Sequence, residues 1–376
     1  MINKKLLFVV NDDWFFISHR LPIAIKAKEL GFDVHVATGS YEGKSKLETY
    51  GFTHHVFSIA RAKVNPFQDL LTIFSLFRLY RNIKPDILHH ITIKPVLYGG
   101  IAARLAGVKN VVSAISGLGV IFIEQGIIPS VKRKIVGALY RLGLNHKNSL
   151  VITQNADDQK IIAQLTGLPN SQFRLIKGSG VDLDKFRMKA LPNGATKKVV
   201  LLARMLKDKG VGEFQQAAVL LKKDYPNVEF ILAGGTHDNP ASYSERQLNE
   251  WNTEGNIQWI GHRNNVIDVI NKAFIIVLPS YREGLPKVLL EAAAIGRPII
   301  TTNVPGCRDA IVENETGLLV PLKNAQALAD AMRKLLDSEE LCKTFGKNGR
   351  LLMEQEFSIN TVVSKHVEIY ESRLND

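Results

Sequence analysis

The strongest constraint on the fold is an alternation of short apolar runs with longer amphipathic ones, interrupted once and then resumed. In the first half the apolar runs are Lys5–Val10, Val34–Ala37, His55–Ser58, Ile87–His90, Val111–Ile115 and Leu150–Thr153. Between them lie helical patterns at His19–Leu30, Pro66–Asn82, Pro95–Ala106, Ser130–Leu144 and Asp157–Leu165. Gly31 and Gly107 follow helices, where a C-cap glycine is expected. Strands alternating with helices predict a parallel sheet covered on both faces. The pattern stops at residues 191–198, LPNGATKK, which is polar and turn-rich and reads as a linker. It restarts with Val199–Ala203, Glu229–Ala233, Ile257–Ile260, Phe274–Leu278 and Pro298–Thr301. The expected architecture is α/β: two Rossmann-like domains, 1–190 and 199–357, with parallel sheets facing across a cleft. Residues 358–376 read as a final helix that would cross back onto the first domain.

A chain of 376 residues is long enough for two such cores. Its apolar stretches are far shorter than the roughly 20 residues of a spanning helix. The N-terminus, MINKKLLFVVNDDW, reads as a buried first strand rather than a signal peptide. Cys307 and Cys342 suggest no disulfide framework and fit a reducing cytoplasm. The charge is lopsided. Residues 1–190 hold 26 Lys and Arg against 13 Asp and Glu, whereas residues 191–376 hold 22 against 23. A basic half attracts an anion: nucleic acid, anionic lipid or a phosphorylated acceptor. No basic stripe interleaved with aromatics supports nucleic-acid readout.

The sharpest motif is Pro279-Ser-Tyr-Arg-Glu283-Gly-Leu-Pro-Lys-Val-Leu-Leu-Glu291. A strand runs into a loop carrying Glu283 and Gly284, and a helix opens near Leu285 and Pro286. The free amides of that first turn, Leu285 to Val288 with Lys287 between, form an anion site reinforced by the helix dipole. Glu291, within two turns, offers a carboxylate to a diol such as a ribose, and Glu283 would face a sugar. The second motif, Ala203-Arg204-Met-Leu-Lys-Asp-Lys209-Gly210, follows the strand that opens the second domain. Two cations there would clamp a diphosphate and stabilise charge building on a leaving group. Weaker turn signals are Gly234 after one strand, Gly261-His-Arg263 after another, and Ser116-Gly117-Leu-Gly119, which does not complete a dinucleotide fingerprint. Asp182-x-Asp184 reads as a helix start, and no metal-like Asp-x-Asp follows a strand.

Together, Glu283-x7-Glu291 and Arg204-x4-Lys209-Gly resemble the donor-site signature of glycosyltransferase family 4, with the GT-B fold. The likeness runs the length of the chain and is densest from Val199 to Val320, in EGLPKVLLEAAAIGRPIITTNVPGCRDAI. NDDWFFISHRLPIA, HHITIKP and SGLGVIF look like the branch that extends polyprenyl-diphosphate-linked sugars in bacterial glycan assembly. The resemblance implies a retaining transferase in which Arg204 and Lys209 bind the donor diphosphate, Glu291 the ribose, and Glu283 the donor sugar. It implies a UDP-sugar donor and a lipid-diphosphate-linked acceptor, with no metal or other cofactor and no nucleic acid as a partner. One relative in that branch adds N-acetylgalactosamine. Many members carry paired glycines after the first strand, whereas this chain has Asn11-Asp-Asp-Trp14 and then Ser18-His19-Arg20, with Ser18 as an N-cap.

The acceptor-side candidates are His19, Arg20, Lys94, Gly117, Gly119, Lys132, Arg133 and Lys134. The apolar run Ile121–Ile128 ahead of Lys132-Arg133-Lys134 suggests an interfacial helix on the anionic inner face of a bacterial membrane. A second candidate, Phe67–Lys84, reads more readily as ordinary core with a solvated basic rim. The alternatives are another GT-B enzyme, such as a nucleotide-sugar epimerase, or a non-catalytic lipid- or nucleic-acid-binding module.

Overall fold

A computed structural model describes residues 4–40, 42–59, 66–118, 127–146 and 148–375, and the side chains of all of these but 66, 127–132 and 375. The chain divides into two compact units, Met1–Ser179 with Asn360–Asp376, and Gly180–Ile359. Residues 180–190, expected in the first domain, therefore lie in the second unit.

Unit 1 runs β1 (Lys5–Val9), α1 (Asp13–His19), α2 (Leu21–Glu29), β2 (Asp33–Thr38), α3 (Lys44–Thr49), β3 (Thr53–Val56) and α4 (Pro66–Ile83). It continues through β4 (Ile87–Ile91), α5 (Gly100–Ala106), β5 (Asn110–Ile115), α6 (Ile127–Leu144), β6 (Ser149–Thr153), α7 (Ala156–Thr166) and β7 (Phe173–Leu175). The sheet is parallel throughout, in the order β3-β2-β1-β4-β5-β6-β7. Its first strand explains the two covered faces. Leu6 and Phe8 join one core with Phe16, Ile23 and Ala27, while Leu7 and Val9 join another with Leu76, Tyr80 and Ala102. Alternate residues point to opposite faces, and both sets are apolar.

Unit 2 runs β8 (Lys197–Leu202), α8 (Val211–Lys222), β9 (Val228–Ala233), α9 (Glu245–Thr253), β10 (Gln258–Trp259), α10 (Val266–Lys272), β11 (Ile275–Leu278) and α11 (Lys287–Ile295). Then come β12 (Ile299–Thr302), β13 (Gly317–Val320), α12 (Ala325–Leu336) and α13 (Glu339–Glu356). This sheet is also parallel, ordered β10-β9-β8-β11-β12-β13. Val199 and Leu201 face one core and Val200 the other, repeating the logic of β1. In each sheet the order reverses once, between β1 and β4 and between β8 and β11. In open parallel sheets, ligands bind beyond the carboxyl ends of the strands at that reversal.

The last helix, α14 (Ile359–Asn375), places Val362, Ile369 and Tyr370 in the core of Leu6 and Phe8. Tyr370 OH lies 2.6 Å from His89 Nδ1 on β4. Among the described residues no helix is long and apolar enough to cross a membrane.

Four local expectations are corrected. The helix expected at His19–Leu30 is α2, starting two residues later at Leu21, and an unexpected short helix, α1, precedes it across Arg20. Ser18 is therefore no N-cap: it sits in the last turn of α1, its hydroxyl 2.8 Å from the Trp14 carbonyl it donates to. Asp182 opens a turn rather than a helix, its carboxylate accepting from the amides of Asp184 and Lys185 at 3.0 and 2.9 Å. The helix expected from Pro95 begins as a π-helical turn, Pro95–Gly99.

Candidate active site

In unit 2, the loops that follow β8 and β11 meet at the reversal of strand order. Gly210 makes that approach tight, and Gly306, in the loop after β12, packs a third loop on the second. A Cβ on Gly210 (φ +72°) would collide with the Pro279 carbonyl, and one on Gly306 (φ +82°) with the carbonyls of Glu283 and Gly284. Both glycines adopt the left-handed backbone that other residues avoid. The Tyr281 amide donates to the Asp208 carbonyl at 2.8 Å, and the Glu283 amide to the Pro305 carbonyl at 3.2 Å. Tyr281 OH donates to Glu213 Oε1 on α8 at 2.6 Å.

This packing delivers Lys209 Nζ to within 2.5 Å of Glu283 Oε1. Ser280 Oγ, wholly buried, lies 2.8 Å from the same carboxylate oxygen and 3.0 Å from the Asp208 carbonyl. The Thr302 hydroxyl donates to the Ser280 carbonyl, tying the loop to β12. The two side chains of the ion pair are 14% and 17% exposed, so each keeps an open edge. Lys209 engages Glu283 through one N–H, and an ammonium has three. Arg204 is exposed, and among the described residues no ion pair or side-chain hydrogen bond engages it.

α11 starts in the same loop. Pro286 is its N-cap, with extended backbone (φ −73°, ψ 114°), so Lys287 and Val288 open the first turn. Beyond that turn the helix is buried from Leu289 to Ile295, so its amino end alone faces outward. Glu291 is buried, and Lys287 Nζ lies 3.4 Å from its Oε1. Burial pushes the Glu291 carboxyl up, and the positive charge of Lys287 pulls it back down. Cys307 lies close by, but burial pushes its thiol up to about 12, which keeps it protonated and unreactive.

Gly234 also shapes this edge. Its φ is +154°, its amide donates to the Gly261 carbonyl at 2.9 Å, and a Cβ would collide with the Ala203 carbonyl. Gly234→Ala is expected to destabilise unit 2 by about 3 kcal/mol or more, because backbone blocks the methyl. Thermal unfolding of the variant checks this; an unchanged midpoint would contradict it. Arg263 is exposed and lines a hollow of about 340 Å³ with Lys198, Gln258, Asp268 and Lys272. None of Arg204, Lys209, Glu283 or Glu291 lines that hollow.

In unit 1 the reversal at β1 and β4 has polar edges. Asn11 Oδ1, Ser40 Oγ and Ser116 Oγ follow β1, β2 and β5, are buried, and have no hydrogen-bond partner among the described residues. Thr92, just after β4, has a left-handed φ of +71°. Lys94 follows it, 3.5 Å from Asp69 Oδ1. Buried polar atoms without partners are costly unless water or a ligand meets them.

Of the acceptor-side candidates, His19 ends α1, half-buried, with its ring stacked on Phe15 at 4.2 Å. Arg20 lies at the break between α1 and α2. It is 2% exposed, contacts Ser179 Oγ and the His19 carbonyl at 3.3 Å each, and burial lowers its guanidinium to about 10. Gly117 follows β5 with a φ of +112°. Gly119 and the side chain of Lys132 lie outside the described residues, and Arg133 and Lys134 ride on α6. Sequence reasoning missed Ser280, Tyr281 and Gly306. Pro305-Gly306, a turn dipeptide just after a strand, was a usable signal for the last of these.

Comparisons with known proteins cover both units. Residues 5–155 match the family model for glycosyl transferase 4-like domains, and residues 182–352 that for glycosyl transferases group 1. The chain is 29% identical to N,N'-diacetylbacillosaminyl-diphospho-undecaprenol alpha-1,3-N-acetylgalactosaminyltransferase of Campylobacter jejuni, over 95% of this chain and 97% of that one. It is 28% identical to UDP-Gal:alpha-D-GlcNAc-diphosphoundecaprenol alpha-1,3-galactosyltransferase of Escherichia coli, over 81% and 79%. Among solved structures, Anabaena Alr3699/HepE, in complex with UDP and glucose, superimposes with a TM-score of 0.77 at 18% identity, covering 98% of this chain and all of that one.

Proposed function

Because the chain belongs to the family 4 glycosyltransferases and has their GT-B fold, we propose that it moves a sugar, with retention of configuration, from a UDP-sugar to a saccharide on a polyprenyl diphosphate. The observation that carries this is the Lys209–Glu283 pair at the β8/β11 reversal, beside the amino end of α11. The two similar enzymes named above act on diphosphoundecaprenol-linked saccharides, one as an N-acetylgalactosaminyl- and one as a galactosyltransferase. A hexosamine such as N-acetylgalactosamine is the donor sugar the first of them favours.

On this reading the donor diphosphate lies between Lys209, Arg204 and the first-turn amides of α11. As the bond from the anomeric carbon to the phosphate oxygen breaks, charge grows on the departing UDP where those cations stand. The acceptor hydroxyl oxygen bonds to that carbon on the face the UDP leaves, and its proton passes to the leaving phosphate. Glu283, already fixed by Lys209 and Ser280, orients the donor sugar, while Glu291 accepts the ribose hydroxyls. Cations and amides meet the diphosphate charge, which leaves no role that a divalent ion must fill. The chain works at the inner face of the membrane that holds the acceptor's lipid.

UDP is expected to raise the unfolding temperature, by about 2.7 kcal/mol of stabilisation at a hundredfold excess over its dissociation constant. Radiolabel is then expected to pass from a UDP-sugar to a polyprenyl-diphosphate saccharide. If UDP leaves the unfolding temperature alone and no UDP-sugar yields labelled lipid, the assignment fails.

A further inference from the structure

We propose that the exposed face of α4 is the surface by which unit 1 docks onto an anionic phospholipid bilayer. This rests on the reading that the enzyme works on a lipid-linked acceptor, and it names the element that makes the contact. The sequence pointed first to α6. Among the described side chains of α6, however, the large exposed apolar residues are Ile135 and Leu142, two turns apart. On α4, Phe67, Leu70, Leu71 and Phe74 are 70%, 65%, 44% and 55% exposed. Their spacing, i, i+3, i+4 and i+7, sets them on one face as a strip roughly 10 Å long.

The other side of the helix is fixed in place. Thr72, Leu76, Tyr80 and Ile83 are buried, the last three in the core beneath the sheet. Asp69, the helix's single acidic residue, is buried near Lys94 at 3.5 Å and so adds no charge to the exposed face. The strip continues into cations instead. Arg78 and Arg81 are exposed at i+11 and i+14 from Phe67, with Lys84 just past the helix end. The Arg78 guanidinium lies 5.7 Å from the centroid of the Phe74 ring, at the seam between the two halves.

An apolar strip ending in guanidinium groups matches a bilayer, with acyl chains for the rings and leucines and anionic headgroups for the arginines. A second copy of this face would bring cations against cations if parallel, and set guanidinium groups over the apolar strip if antiparallel. The net basic charge of residues 1–190 adds attraction at longer range.

The test is flotation of the full chain with vesicles of phosphatidylcholine alone, and with phosphatidylglycerol added. Wild type is expected to float with the mixed vesicles. The combined variant Phe67→Ser, Leu70→Ser, Phe74→Ser is expected to partition at least about tenfold less, and Ile135→Ser with Leu142→Ser to partition as wild type. In Phe74→Trp, brominated acyl chains are expected to quench the added indole, which needs no loss-of-binding variant. Wild type that floats with neither vesicle overturns the membrane reading and this proposal together. Floating that survives the triple substitution, with the added indole of Phe74→Trp unquenched, overturns only the assignment to α4. A triple variant that changes oligomeric state but still floats makes the face a protein interface and overturns it likewise.

Discussion

Lys209→Ala is expected to lower kcat/KM for sugar transfer by about a hundred- to a thousandfold while leaving the protein folded. The ammonium stands where charge develops on the departing diphosphate, and it also fixes Glu283 at 2.5 Å. Ser280 still reaches the carboxylate at 2.8 Å in the variant, so Glu283 keeps one donor and the loop its shape. Most of the loss should fall on kcat, because the interaction strengthens as the bond breaks. Arg204→Ala should lose less, about tenfold, since that side chain is exposed and must be ordered by the substrate. Steady-state kinetics with a labelled donor decide the matter. A Lys209→Ala enzyme within a fewfold of wild type would remove Lys209 from the site.

The second large effect is selective acid unfolding of unit 1. His89, His90 and His366 are buried there, and burial pushes all three imidazoles down: His90 and His366 to about 3, and His89 well below its ordinary value. Neighbouring positive charge adds to it, with His366 set against His89, and Arg20 against both. The folded protein keeps these rings neutral, whereas an unfolded chain protonates them below about 6.5. Stability is therefore full above pH 6.5 and falls as the pH drops from there toward 3. At pH 5, about 1.5 pH units below the unfolded pKa, His90 and His366 each cost about 2 kcal/mol and His89 adds in the same direction, a large part of the stability of a domain. Unit 2 has only the exposed His237 and His262. Hydrogen exchange resolved by peptide should show β1, β4 and α14 losing protection near pH 5 before β8, β9 and β11. Full protection of β4 at pH 4 would contradict this.

Much of the fold was legible because β1 and β8 are apolar on both faces, a pattern few structures other than a helix-covered parallel sheet accept. β7 and β13 escaped notice. The first exposes Arg174 and Leu175, and the second opens on a glycine, so neither reads as an apolar run. α1 escaped notice because Ser18, just ahead of the helical spacing, reads as an N-cap, and only packing decides that the chain is already helical from Asp13 and that Arg20 turns inward. At the candidate site, Glu283 and Lys209 were readable as residue types after strands. That they touch was not, because the contact depends on Gly210 and Gly306 letting the loops after β8 and β12 close on the loop after β11. The same limit misjudged α4. Phe67, Leu70, Leu71 and Phe74 have the spacing of a core-facing stripe, and sequence cannot say which of two apolar stripes the sheet will cover.

The central claim is that Lys209 grips the diphosphate of a uridine nucleotide while Glu291 holds its ribose. Calorimetric titration of UDP and of uridine into wild type, Lys209→Ala and Glu291→Gln tests it most directly. The account predicts that Lys209→Ala binds UDP at least about tenfold more weakly and uridine as wild type does, whereas Glu291→Gln weakens both ligands. UDP affinity equal to wild type in both variants would contradict it.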